Sequence, residues 1–84
     1  MGYHKADIPR GRIGSFSKIE EEFLELKDSL DQGILFMALH ETSDLIGAIE
    51  AFLMRHGFTL DDAIKMKDAT ARAFASGERR NRDV

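Results

Sequence analysis

No lysine or arginine occurs between Asp28 and Met54, and most of that stretch is apolar. Wound as a helix from about Ile34 to Arg55, closed by His56 and Gly57, at about 100 degrees per residue, it carries apolar side chains around nearly its whole circumference. A helix that is apolar all round is a buried helix, so the chain must find cover for it. The stretch is long enough to cross a bilayer, but His40, Glu41, Asp44 and Glu50 argue against a membrane span. Glu41 falls in the arc between Ala48 and Phe52, and Asp44 between Met37 and Ala51. Unpaired charges among such neighbours are costly, and no cation stands nearby in sequence to offset them.

A second helix precedes it. Ser17 reads as an N-cap, with Glu20 three residues later completing a capping box, so this helix is expected from Lys18 to about Asp31. Its apolar stripe is Ile19, Phe23, Leu26 and Leu30. Gln32 and Gly33 end it, and so short a connection makes an antiparallel helical hairpin. Each arm of the hairpin carries an i, i+3 carboxylate pair, Glu22/Glu25 and Glu41/Asp44, and residues three apart share a helix face. The pairs lie 8 and 11 residues from Gly33 on either side, so their depths match. Four carboxylates around one small volume repel unless a cation sits among them. Mg2+, with Mn2+ as the other candidate, takes oxygen ligands of this kind. The simpler account is that these groups face solvent, or pair with a basic residue from elsewhere in the chain.

The remaining segments add less. Residues 1–16 contain Pro9, Gly11 and Gly14 and are basic, which reads first as a flexible arm and second as a loop that folds over an anionic ligand. A third helix is expected from Leu60 to about Ser76, with Thr59 and Asp62 as a capping box and Gly77 as its stop. Lys65, Asp68 and Arg72 share one of its faces, either as a solvated charge row or as a grip for phosphates. Residues 78–84 form a charged tail. Asp28 and Asp31 lack the spacing of a calcium loop, no Glu-x-x-His di-iron pattern exists, and His4, His40 and His56 have no mutual metal spacing.

At 84 residues the chain is expected to be a single all-α domain. Residues 17–50 hold nine acidic and two basic residues, so the rest carries a net charge of +4. The overall balance of −3 disfavours duplex nucleic acid as a partner, and with it a DNA-recognition role for Lys65, Lys67 and Arg72. The absence of cysteine excludes thiolate chemistry and fits a reducing, cytoplasmic setting. Residues 1–17 do not read as a signal peptide.

The run Glu21-Glu22-Phe23-Leu24-Glu25, followed by Glu41-Thr42-Ser43-Asp44 on a helical hairpin, resembles the MazG-type all-α nucleoside triphosphate pyrophosphohydrolases. The likeness runs from about Phe16 to Arg80, and the chain is similar to the small single-domain members, phage-encoded ones included. Thr42-Ser43 departs from the Leu-Gly that many members carry there. The resemblance implies cleavage of a (d)NTP between the α and β phosphates, giving a nucleoside monophosphate and pyrophosphate. It implies Glu22, Glu25, Glu41 and Asp44 as metal ligands. Glu21, beside the ligands but off Glu25's face, would take the proton of the attacking water. Lys18, Lys65, Asp68 and Arg72 would bind substrate. It also implies a homodimer or homotetramer with a four-helix-bundle core. The competing reading is a non-enzymatic helical module whose acidic face binds a basic partner, which requires Glu41 and Asp44 to face solvent.

Overall fold

A computed structural model describes residues 4–75. The expected charged tail and the Gly77 stop lie outside the described residues. Three helices follow one another, α1 (Phe16–Asp31), α2 (Phe36–Arg55) and α3 (Leu60–Ala75), with no strand among the described residues. None of these helices is long and apolar enough to cross a membrane.

The N-cap of α1 is Ser15, not Ser17. Ser15 has extended backbone (φ −100, ψ 155) and its hydroxyl accepts the Ser17 N–H. A turn in which the Ser15 N–H donates to the Arg12 carbonyl at 2.9 Å delivers Ser15 to the helix entry. Ser17 therefore sits inside the first turn, where its hydroxyl accepts the Arg12 N–H at 3.0 Å. Glu20 is exposed and loses the capping duty expected of it.

Both long helices stop as the glycines predict. Gly33 (φ 75) lets its own N–H reach the Leu30 carbonyl and the Ile34 N–H reach that of Ser29, which closes a Schellman turn. Gly57 (φ 85) repeats the pattern with the carbonyls of Met54 and Leu53. The capping box of α3 forms as expected: the Thr59 N–H donates to Asp62 Oδ2 at 2.8 Å and the Asp62 N–H to Thr59 Oγ1 at 3.1 Å.

Helix α1 packs along α2 as a hairpin, and α3 packs against α2 alone. The burial pattern reverses the usual one. Ala48 is the one buried hydrophobic side chain among the described residues, whereas Glu21, Glu22, Asp28, Ser29 and Glu41 are all buried. The expectation of a wholly buried second helix is not met within one chain: Leu35, Phe36 and Leu39 are 73%, 81% and 80% exposed. Phe23 and Leu30, expected in the core stripe of α1, are also exposed. The hairpin closes on the acidic face of α1, which turns the apolar stripes outward. Each exposed Leu or Phe forgoes about 1.5–3 kcal/mol relative to burial. The radius of gyration, 15.5 Å, exceeds the roughly 12 Å of a compact domain of this length.

Residues 4–15 are irregular but docked, which replaces the flexible-arm reading. Two carboxylates of α1 hold the arm's backbone. Asp28 accepts the N–H groups of Lys5 at 2.9 Å and Ala6 at 3.2 Å. Glu21 Oε1 accepts the Gly11 N–H at 2.8 Å. Gly11 passes so close to α1 that a Cβ there would overlap the backbone of Ser17 and Lys18. Gly11→Ala is expected to break the Gly11–Glu21 bond and release this end of the arm. A hydrogen bond to a charged group contributes about 1.5–3 kcal/mol, so trypsin should cut after Arg10 and Arg12 at least about tenfold faster. Unaltered cleavage would show that the arm is held some other way.

Candidate metal centre

The antiparallel hairpin brings the two carboxylate pairs to one level. Oxygen atoms of Glu22, Glu41 and Asp44 lie within 4.8 Å of one another. Two further groups overlap this one at the same spacing, Glu21 with Glu22 and Glu25, and His4 with Glu25 and Glu41. A cleft of about 470 Å³ is lined by His4, Arg10, Glu21, Glu25, Glu41 and Asp44. A second, of about 400 Å³, shares Asp44 with the first and is lined also by Lys18, Glu22, Ser43 and Gly47.

Glu41 is the centre of the arrangement. It is 1% exposed, and neither of its carboxylate oxygens has a hydrogen-bond partner. Burial, reinforced by the neighbouring Asp44, pushes its carboxyl above the ordinary range. Glu22 is also buried, with Oε1 unpartnered. Burial and the adjacent Glu22 raise Glu25 likewise. Asp44 lies nearer the surface, its side chain 42% exposed, with His40 Nε2 3.4 Å from Oδ2. Buried oxygens that lack donors and crowd one another are what a hard divalent cation would satisfy, so the residues present fit a metal ion.

Lys18, from outside the α2 stretch, supplies part of the compensation, and His4 reaches the cluster from the arm. Lys18 Nζ lies 3.1 Å from Glu21 Oε1 and 3.0 Å from Glu22 Oε2. Its hydrogen bonds to Glu22 and Glu21 hold its ammonium above the usual range. Lys18, expected to grip substrate, is thus engaged with the carboxylates. His4 Nε2 approaches Glu41 Oε2 to 3.1 Å, reaching it from the arm.

Glu21 does not stand off Glu25's face. The two are i, i+4 neighbours and line the same cleft. Burial alone would raise Glu21, but the Gly11 N–H and the Lys18 ammonium outweigh it and hold the carboxyl below the usual range. It is a weaker base than the sequence suggested. Lys65, Asp68 and Arg72 line neither cleft. Lys65 pairs with Asp61 at 3.0 Å, and Asp68 with Lys67 at 2.7 Å, in exposed rows along α3.

His4 and Asp28, which carry no metal-ligand spacing in the sequence, are joined at 2.9 Å, Nδ1 to Oδ2. His4 comes first among the groups that hold Asp28 below the usual range, followed by the Lys5 and Ala6 N–H groups and Gln32 against the opposing effect of burial. The available signal was the helical face: Glu21, Glu25 and Asp28 recur at i, i+4 and i+7, so Asp28 extends the acidic stripe.

No protein-family model matches this chain, and no characterised protein or solved structure matches it.

Proposed function

We propose that the chain is a metal-dependent nucleoside triphosphate pyrophosphohydrolase of the MazG-like all-α type, working as a homo-oligomer. The observation that carries this reading is Glu41: fully buried, without hydrogen-bond partners, and within 4.8 Å of Glu22 and Asp44 oxygens. A non-enzymatic acidic module would keep that carboxylate in solvent.

Glu22, Glu41 and Asp44 would hold Mg2+ or Mn2+, with Glu25 joining from the side of the larger cleft. When bound, such an ion neutralises phosphate charge and makes a water molecule more acidic. Water adds to the α phosphorus, the bond from that phosphorus to the bridging oxygen breaks, and pyrophosphate leaves. Glu21 takes the water's proton from its place on the larger cleft. Its depressed carboxyl makes it a modest acceptor at neutral pH. Arg10, which lines the same cleft, is the guanidinium suited to phosphate oxygens. Lys65, Asp68 and Arg72 serve this site only across an interface between subunits, because within one chain they stand away from it.

The deciding measurement is a panel of NTPs and dNTPs with Mg2+ and with Mn2+, scored for pyrophosphate and orthophosphate separately. Metal-dependent pyrophosphate release is expected. Orthophosphate alone would indicate a different hydrolase. No product, together with no nucleotide-dependent thermal shift, would favour the interaction module.

A further inference from the structure

We propose that His4, Glu25 and Glu41 form a mixed nitrogen–oxygen site for a borderline divalent transition ion such as Zn2+ or Co2+, adjoining the all-carboxylate group of Glu22, Glu41 and Asp44. It deepens the metal-centre reading and rests on it for the shared ligand Glu41.

The three side chains offer ligand atoms within 4.8 Å of one another. His4 Nε2 is 3.1 Å from Glu41 Oε2 and 3.9 Å from Glu25 Oε1. The other ring nitrogen fixes what Nε2 presents. Asp28 Oδ2, 2.9 Å from Nδ1, can only accept, so Nδ1 carries a proton. In the neutral imidazole, Nε2 then turns a lone pair toward two carboxylates. Such a contact is repulsive until a cation enters it, either a second ring proton or a metal ion.

Glu41 favours the metal. A proton on Nε2 answers at most one acceptor, and both Glu41 oxygens are buried without hydrogen-bond partners although the ring stands beside them. A metal ion draws on all three groups at once. The backing of the histidine is also that of a metal ligand. A carboxylate behind the imidazole sets its tautomer and orientation, and this carboxylate is itself steadied by the Lys5 and Ala6 N–H groups and by Gln32 Nε2 at 3.0 Å. The donor set decides the class of ion: imidazole suits Zn2+ and its neighbours, whereas Mg2+ prefers oxygen alone. Because His4 belongs to the arm, filling this site also ties the arm to both helices of the hairpin.

The test is calorimetric titration of the full metal-free chain with Co2+ and, separately, with Mg2+, on wild type, His4→Ala, His4→Gln and Asp28→Asn, with circular dichroism to confirm retained helix. Asp28→Asn should weaken Co2+ binding about 10–100-fold, and both His4 variants at least as much. Mg2+ affinity in the His4 variants should change less than about threefold, since oxygen ligands hold it. In 15N-labelled protein, saturating Zn2+ should move the His4 Nε2 resonance to a metal-bound position. Co2+ affinity that ignores His4, or an Nε2–H that persists under saturating Zn2+, would overturn the proposal. His4-dependent Co2+ binding without pyrophosphate release would sustain this site and count against the hydrolase reading alone. Pyrophosphate release with His4-independent Co2+ binding would do the reverse.

Discussion

Glu41→Gln is expected to abolish pyrophosphate release while making the metal-free protein more stable, not less. The substitution keeps the shape of the side chain and removes a charge that is 1% exposed and without hydrogen-bond partners. Relief of such a group contributes about 1–3 kcal/mol or more, which in a domain of this size raises Tm by roughly 4–8 °C per kcal/mol. The pH dependence should change with it. Glu41 and Glu25 have raised carboxyls, so the folded state binds more protons than the unfolded one. Metal-free stability therefore falls as pH climbs from about 4.5 through their folded-state values. Glu21 and Asp28 are lowered, and the stability they contribute is lost on the acid side, as pH drops below about 4. The wild-type protein should thus be most stable in mildly acidic solution without metal. Mg2+ should restore its stability at neutral pH, and Glu41→Gln should flatten the neutral limb and remove the metal response. Thermal melts across pH, with chelator and with Mg2+, read all of this. A Glu41→Gln variant that melts lower without metal, or that keeps full activity, would show that Glu41 is not a metal-dependent charge.

The second large effect concerns association. Leu35, Phe36 and Leu39 are exposed apolar side chains at the start of α2, and Phe23 and Leu30 of α1 are exposed as well. Large apolar side chains left open in such number point to an interaction surface. Sedimentation at micromolar concentration is expected to give a dimer or tetramer, and Leu39→Asp to give a monomer that melts well below wild type. A wild-type monomer under those conditions would remove both the bundle and any route by which α3 could reach a neighbouring site.

Local rules made much of this legible in the sequence. The glycine stops, the Thr59–Asp62 box and the matched depth of the two acidic pairs each depend on residues close in the chain, and each appears in the structure. The misplaced cap of α1 failed at the same scale, because a turn from Arg12 to Ser15 competed with the Ser17 signal. The His4–Asp28 contact spans 24 residues and has no spacing signature, so no pattern could announce it. Periodicity showed that α2 requires cover on every side. It could not show that the hairpin would spend its own contact face on carboxylates and leave the apolar faces outward.

The Schellman turn at Gly33 makes the hairpin a ruler. The two acidic pairs meet because each stands 8 and 11 residues from that fixed corner. One residue inserted between Phe36 and His40 would turn Glu41 and Asp44 by about 100 degrees and shift them by about 1.5 Å, while Glu22 stayed put. The connection between α2 and α3 can lengthen without touching the acidic cluster, but the first turn and a half of α2 has no such freedom.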